Sequence, residues 1–384
     1  MGYLKNIKTA FKPKHYLNYV LVSLFLIAMV VLNAVGILKR SDYSLLFQMG
    51  YSILLAVSLN LVVGFLGELS LGHAGFMCVG AYIGCYTGMQ LMPIVNNKLL
   101  ILIISMIVGG VVAAVFGFII GLPALRLKGD YLAIVTLAFG EIVRTVVKNM
   151  PFLGGTMGLT TSDIRFKTKE IFTLIVVTFI VVLIMLILVQ NLIRSKHGRA
   201  VTAIRDNEIA ARAMGINVTF YKLFIFVISA FFAGVAGVLY GSSVSPVVYT
   251  KFDYNYSIEI LVMVVLGGMG NVTGSIISAA LLTFVNVKLT ALGGDLAAIK
   301  YLIYSLILII MVMFNNAAVF APFKQKMGDF FKAIFKHKKK PSTVEDDKAN
   351  WTHIPTKIKM DAVLSTDLTA DTSQIPDKPS KKGE

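Results

Sequence analysis

Apolar residues in this chain come in runs that are too long and too uniform for the buried stripe of a surface helix. A helix crosses a bilayer with about 20 mostly apolar residues. Runs of that kind fall at residues 17–38, 44–65, 72–92, 99–122, 131–147, 171–193, 223–243, 256–266, 272–292 and 298–320. The pattern predicts an all-α polytopic membrane protein with about ten transmembrane helices, since only helices and closed barrels satisfy their backbone in lipid. The eighth run is short and leads into "GGMGNVTG" (267–274), and the third carries Gly72, Gly75, Gly80 and Gly84. Both read as Gly-rich breaks, which membrane depth tolerates only where protein or a wet cavity covers the irregular backbone.

Composition agrees with the pattern. The 384 residues are 57% hydrophobic and 15% charged, with mean hydropathy +0.78, whereas soluble domains are about a quarter charged. The formal net charge of +16 raises nucleic acid as a partner. Its placement excludes that, because Lys and Arg flank the apolar runs and form no continuous basic face. Flanking charge orients a membrane protein. Placing the N-terminus inside puts Lys5 to Lys14, Arg126 and Lys128, residues 194–222 and residues 324–340 on the inner side. The smaller set (Lys39, Arg40, Lys98, Arg165, Lys167, Lys169 and Lys251) is left outside. The expected organisation is a basic cytoplasmic N-terminus at 1–16, a transmembrane domain at 17–320 with a cytoplasmic loop at 194–222, and a basic, then disordered, cytoplasmic tail at 321–384. Both termini are expected on the cytoplasmic side of the plasma (inner) membrane. The first run is too long for a signal-peptide core and reads as a retained span.

Catalytic chemistry is missing from the pattern. No phosphate-binding GxxxxGK[ST] loop, HExxH pair or GxSxG elbow occurs. Cys78 and Cys85 lie seven residues apart on one helix face and cannot bridge, and no span pairs ligands at metal spacing. The chain is therefore read as neither an enzyme nor a metal or cofactor protein.

Between two spans lies "RSKHGRAVTAIRDNEIAARAMGINVTFYKL" (194–223). Asp206 is placed to cap a short helix over about 207–214. Gly215 suits the left-handed residue after its end, with Ile216 folding back. Val201, Ile204, Glu208, Ala211 and Gly215 recur at spacings of three and four, a small-residue ridge open to the groove of another protein. The plainer reading is a helical loop on the inner leaflet with its arginines on lipid phosphates.

"EIAARAMG" (208–215) resembles the EAA-xxx-G loop of ABC importer permeases, with one residue inserted after the Glu and without the "LP" that ends many such loops. The segment running on to "AGVAGVLYG" resembles the LivM-type permeases of branched-chain amino acid ABC transporters. So do "GELSLGHAGFMCVGAY" (67–82), "LPALRLKGDYLAIVTLAFGEIVR" (122–144), "GGTMGLT" (154–160) and "VLGGMGNVTGSIISAA" (265–280). The motifs stand in family order across residues 44–319. The resemblance implies a permease subunit carrying leucine, isoleucine or valine by alternating access. It also implies a LivH-type permease partner, two cytoplasmic ATPase subunits that hold ATP and Mg²⁺, and an extracytoplasmic binding protein. Arg205, Asp206, Asn207, Glu208, Ala210, Ala211, Arg212 and Gly215 would then form a coupling helix that sits in an ATPase groove.

Candidates for the translocation path are Glu68, Ser70, Gly72, His73 and Gly75 at the first break, Glu141 and Arg144 in the fifth run, and Gly267, Gly268 and Gly270 at the second break. A broken helix can offer free backbone N–H groups to a substrate carboxylate. The structural alternatives are a tight helix crossing and an i,i+3 ion pair of Glu141 with Arg144. Rival functions are the same machinery carrying urea, short amides, other amino acids or a sugar, an ion-coupled carrier working alone, and a passive channel.

Overall fold

A computed structural model of the chain describes residues 17–36, 40–127, 129–166 and 170–292, with 302, 306 and 309 as isolated positions. Backbone contacts divide the chain into 1–316 and 317–384, and every described residue lies in the first unit. The expected N-terminal segment 1–16, nearly all of the run at 298–320 and the tail at 321–384 lie outside the described residues.

All regular elements among the described residues are helical. They are α1 (Leu17–Ala34), α2 (Arg40–Asn60), α3 (His73–Leu91), α4 (Lys98–Ala124), α5 (Asp130–Asn149), α6 (Ile171–Arg194), α7 (Lys196–Asp206), α8 (Glu208–Ala213), α9 (Val218–Ser243), α10 (Tyr254–Gly267) and α11 (Val272–Leu292). Among the described residues, five segments are long and apolar enough to cross a membrane unaided: Ser41–Leu66, Lys98–Ala124, Ile171–Arg194, Val218–Ser243 and Val272–Thr290. Two shorter apolar helices, Leu21–Asn33 and Tyr254–Gly267, accompany them. The chain is thus all-α, with several apolar membrane-crossing helices.

The bundle is organised around α3, which is buried over most of its length because it packs against α4, α5 and α9. Glycine makes that position available. A Cβ built on Gly237 of α9 would lie 2.0 Å from the Met77 carbonyl oxygen, and one on Gly80 of α3 would lie 2.2 Å from that of Gly234. The two backbones touch without intervening side chains, the close approach that small residues permit between membrane helices. In contrast, α4 and α6 turn large apolar side chains outward, among them Ile107, Ile119 and Leu188. No hydrophobic gain drives those residues inward when the surroundings are lipid.

The two ends of the bundle are built differently. At one end the loop 154–160 is pinned by paired backbone hydrogen bonds between Leu159 and Val247, 2.9 Å in each direction, and Tyr82 donates to the Val247 carbonyl. At the other end the short helices α7 and α8 link α6 to α9. Ser195 caps α7 by accepting from the His197 and Gly198 amides.

Candidate functional site

Helix α2 does not end cleanly. After Asn60 it widens into a π-helical turn, Leu61–Leu66, and stops at Gly67 in the left-handed region (φ 81°). Residues 67–72 are irregular before α3 begins. In a π turn the carbonyls lose their i+4 partners, and Arg205 Nη1 of α7 donates to one of them, the Gly64 oxygen, at 3.2 Å. Gly64 has no room for a side chain. A Cβ there would fall 1.9 Å from Asn60 Oδ1 and 2.1 Å from the Gly270 nitrogen.

Gly270 belongs to the second break. Helix α10 ends at Gly267, Gly268 and Gly270 are left-handed, and α11 starts at Val272. The Gly270 amide donates to Asn60 Oδ1 (2.9 Å), and Asn60 Nδ2 donates to Ser275 Oγ (2.9 Å). One buried asparagine thus ties the two irregular segments together. Several of the amides at these breaks are hydrogen-bonded within the chain. Leu71 donates to Thr136 Oγ1, Ala74 to Ser257 Oγ, and Gly75 and Phe76 to the Gly72 carbonyl. Gly268 donates to the Val265 carbonyl. These donors are committed within the chain, because a break enclosed by protein must satisfy its own backbone. The polar side-chain atoms Ser70 Oγ and His73 Nδ1 are buried without a hydrogen-bond partner among the described residues, while His73 Nε2 lies 2.8 Å from Ser58 Oγ.

Lys222, in the second turn of α9, is buried beside this break. Its ammonium donates to Glu68 Oε1, just past the π turn, and to Glu208 Oε2 at the start of α8 (3.1 Å). Glu208 also accepts from Arg212 (2.8 Å). Sequence reading counted Lys222 only as one of the inner basic residues. Its signal was a lysine directly abutting an apolar run, where a buried charge needs a partner.

The loop itself differs from expectation in two ways. Asp206 ends α7 rather than capping α8, and Asn207 caps α8 through its side chain, which accepts from the Ala210 amide at 3.0 Å. Asn207 alone has the extended backbone that a cap requires (φ −159°, ψ 103°). Gly215 is left-handed (φ 81°). Its amide donates to the Arg212 carbonyl and that of Ile216 to the Ala211 carbonyl, the paired bonds of a Schellman end. The ridge of small residues is largely closed, with Gly215 its exposed end. Val201, Ile204 and Ala211 are buried because they seat the hairpin on this chain's own helices. The open face carries Ile209 (78% exposed), Met214 (82%) and Arg212.

Glu141 and Arg144 form an ion pair, with Arg144 Nε and Nη2 donating to Glu141 Oε2 at 2.9 and 2.6 Å. They lie on α5, away from the Lys222 cluster and from a large cavity among the described residues.

That cavity, 1080 Å³, opens at the other end of α2 and α9. Its walls are Tyr43, Phe47, Gln48 and Tyr51 of α2, Tyr240 and Ser243 of α9, Arg165 and Phe166 from the loop before α6, and Lys251. Hydroxyls, an amide and two cations give it a mixed lining, beside the rings of Phe47 and Phe166. Beneath it Tyr51 and Tyr256 are hydrogen-bonded, and buried Glu259 of α10 is near enough to act on both electrostatically. None of the expected path residues lines this cavity. The α2 face was legible as 44, 47, 48 and 51 at helical spacing, but alternation with apolar residues masked it. Along α9, 18 residues separate Lys222 from Tyr240, about 27 Å at the helical rise, close to the thickness of a bilayer core. The ion cluster and the cavity therefore stand at opposite ends of the bundle.

The model of the family described as branched-chain amino acid transport system / permease component matches residues 43–312. The chain belongs to that family. It is 33% identical over 320 residues to the high-affinity branched-chain amino acid transport system permease protein LivM of Escherichia coli K12, covering 73% of each chain. It is 29% identical to a probable branched-chain amino acid transport permease protein LivM of Methanocaldococcus jannaschii, over 64% of this chain and 79% of that one. A more distant relative is the ribose import permease protein RbsC of Haemophilus influenzae, 24% identical over 76% of this chain and 91% of that one. No solved structure matches significantly. The permease-family chain is a transport subunit and not an enzyme.

Proposed function

We propose that this chain is the LivM-type half of the translocation path of an ABC importer for leucine, isoleucine and valine. It would lie in the plasma membrane with both termini and residues 194–222 in the cytoplasm. The observation that carries the reading is the family match across the same residues that build the helix bundle. A LivH-type permease completes the path in this reading, two ATPase subunits with ATP and Mg²⁺ drive it, and an extracytoplasmic binding protein delivers the substrate. The exposed face of α8, with Asn207, Ile209, Ala210, Arg212 and Met214, meets the ATPase. Arg205, Glu208 and Ala211 hold that face to the bundle, Asp206 pairs with Arg205, and Gly215 turns the chain toward α9.

Substrate enters at the 1080 Å³ cavity, where Arg165 and Lys251 suit a carboxylate and the rings of Tyr51 and Tyr240 suit an aliphatic side chain. Glu68, Ser70, Gly72, His73 and Gly75, with Gly267, Gly268 and Gly270, close the path at the inner face. Glu141 and Arg144 brace α5.

The test is radiolabelled leucine uptake into proteoliposomes holding the full complex and the binding protein. Isoleucine and valine are expected to compete, and urea, a short amide and ribose are not. Uptake of urea or ribose with no leucine transport would defeat the amino-acid assignment. In the same assay Arg165→Gln is expected to raise the KM for leucine about tenfold, the loss of one charge-assisted hydrogen bond. An unchanged KM would remove the cavity from the substrate's route.

A further inference from the structure

A lysine buried in the second turn of a membrane helix needs a reason. Out of water an ammonium is stable only when paired and fully hydrogen-bonded. The Lys222 side chain is 4% exposed, and its two carboxylate partners come from separate segments: Glu68, 12% exposed, and Glu208, 21% exposed. Glu68 follows the π turn of α2, and Glu208 begins α8. A second tie joins the same two segments, Arg205 Nη1 to the Gly64 carbonyl. Helices α7 and α8 therefore grip the inner end of α2 at two points, and Asn60 passes that grip on to Gly270.

The proposed docking of α8 on an ATPase poses a mechanical problem. A six-residue helix is too short to hold its own shape in isolation, so a push on it would be lost in bending the loop. We propose that Lys222 is a positioning residue that makes the 194–222 loop and the broken inner end of α2 one rigid joint. Displacement of α8 then moves the 61–68 segment rather than deforming the loop. Separating them would strand a buried charge, so the joint holds under load.

This inference rests on the reading of α8 as the ATPase contact, and the experiment separates the two. In proteoliposomes with the complete complex, Lys222→Met is expected to lower leucine uptake per ATP hydrolysed about tenfold, within the usual range of coupling between sites. Lys222→Arg is expected to restore the ratio, because it keeps one cation between the same two acids. Uptake and hydrolysis falling together in constant ratio, or a Lys222→Arg variant no better than Lys222→Met, would overturn the proposal. A second measurement needs no substrate. Spin labels on Ile209→Cys and Met269→Cys, at exposed positions of α8 and the second break, are expected to keep their separation when ATP is added to the complex. In Lys222→Met that separation is expected to change with ATP. A change in the unaltered chain would refute the rigid joint even if Lys222→Met fails to insert. Absence of leucine uptake by the unaltered complex would count against the transport reading alone.

Discussion

Glu208→Lys is expected to abolish uptake while leaving the chain inserted in the membrane. The new ammonium would replace a carboxylate that lies 3.1 Å from Lys222 Nζ and 2.8 Å from Arg212 Nη2. One cation held by two acids becomes two cations facing one acid, in a site where Lys222 is almost wholly buried. Breaking a buried pair by altering one partner costs about 3–5 kcal/mol, and repulsion adds to that. The joint opens and α8, seated through Ala211, leaves the bundle. The spanning helices keep their apolar lengths, so insertion proceeds. Copurification of the ATPase subunit and leucine uptake measure the outcome together. Normal recovery of the complex with normal uptake would show that residues 208–215 are no more than a loop on the membrane surface.

Gly237→Leu is expected to remove folded subunit altogether. Its first side-chain carbon would lie 2.0 Å from the Met77 carbonyl oxygen and 2.8 Å from the Ala81 nitrogen. Overpacking a core typically costs about 1–3 kcal/mol when side chains can shift. Here the obstacle is backbone, so α3 and α9 must separate along their shared length. Recovery of monodisperse protein from detergent extracts is expected to fall at least about tenfold, a change set by more than about 1.4 kcal/mol. Gly140→Ala is the control, because its added carbon would approach nothing closer than 3.8 Å. Equal recovery of the two variants would mean that the helix crossing is looser than the backbone geometry requires.

The same crossing shows what could be read before any coordinates. The glycine density of the third run was visible as a sign of close packing, and the α9 segment carried "AGVAG", but nothing local paired Gly80 with Gly234 or Met77 with Gly237. The loop at 194–222 was legible in its caps and turn. Its left-handed Gly215 follows from chain geometry that only glycine adopts freely. Its ridge was misjudged, because spacing says which residues share a face and not whether that face meets the chain's own helices or a partner. Glu141 and Arg144 were legible as a pair because three residues on a helix bring them together.

Run length and charge placement alone determined that this chain is a helical membrane protein, since the thickness of a bilayer acts on local sequence. The order of five motifs likewise determined its family. Tertiary structure decided which polar groups meet. Glu68 and Lys222 are 154 residues apart, and Asn60 and Gly270 are 210 apart. Pairings at that separation depend on how the helices cross, and so did the hydrogen-bonded amides of the two breaks and the cavity between α2 and α9. A charge in an apolar run announces that it needs a partner, but only the packed bundle supplies one.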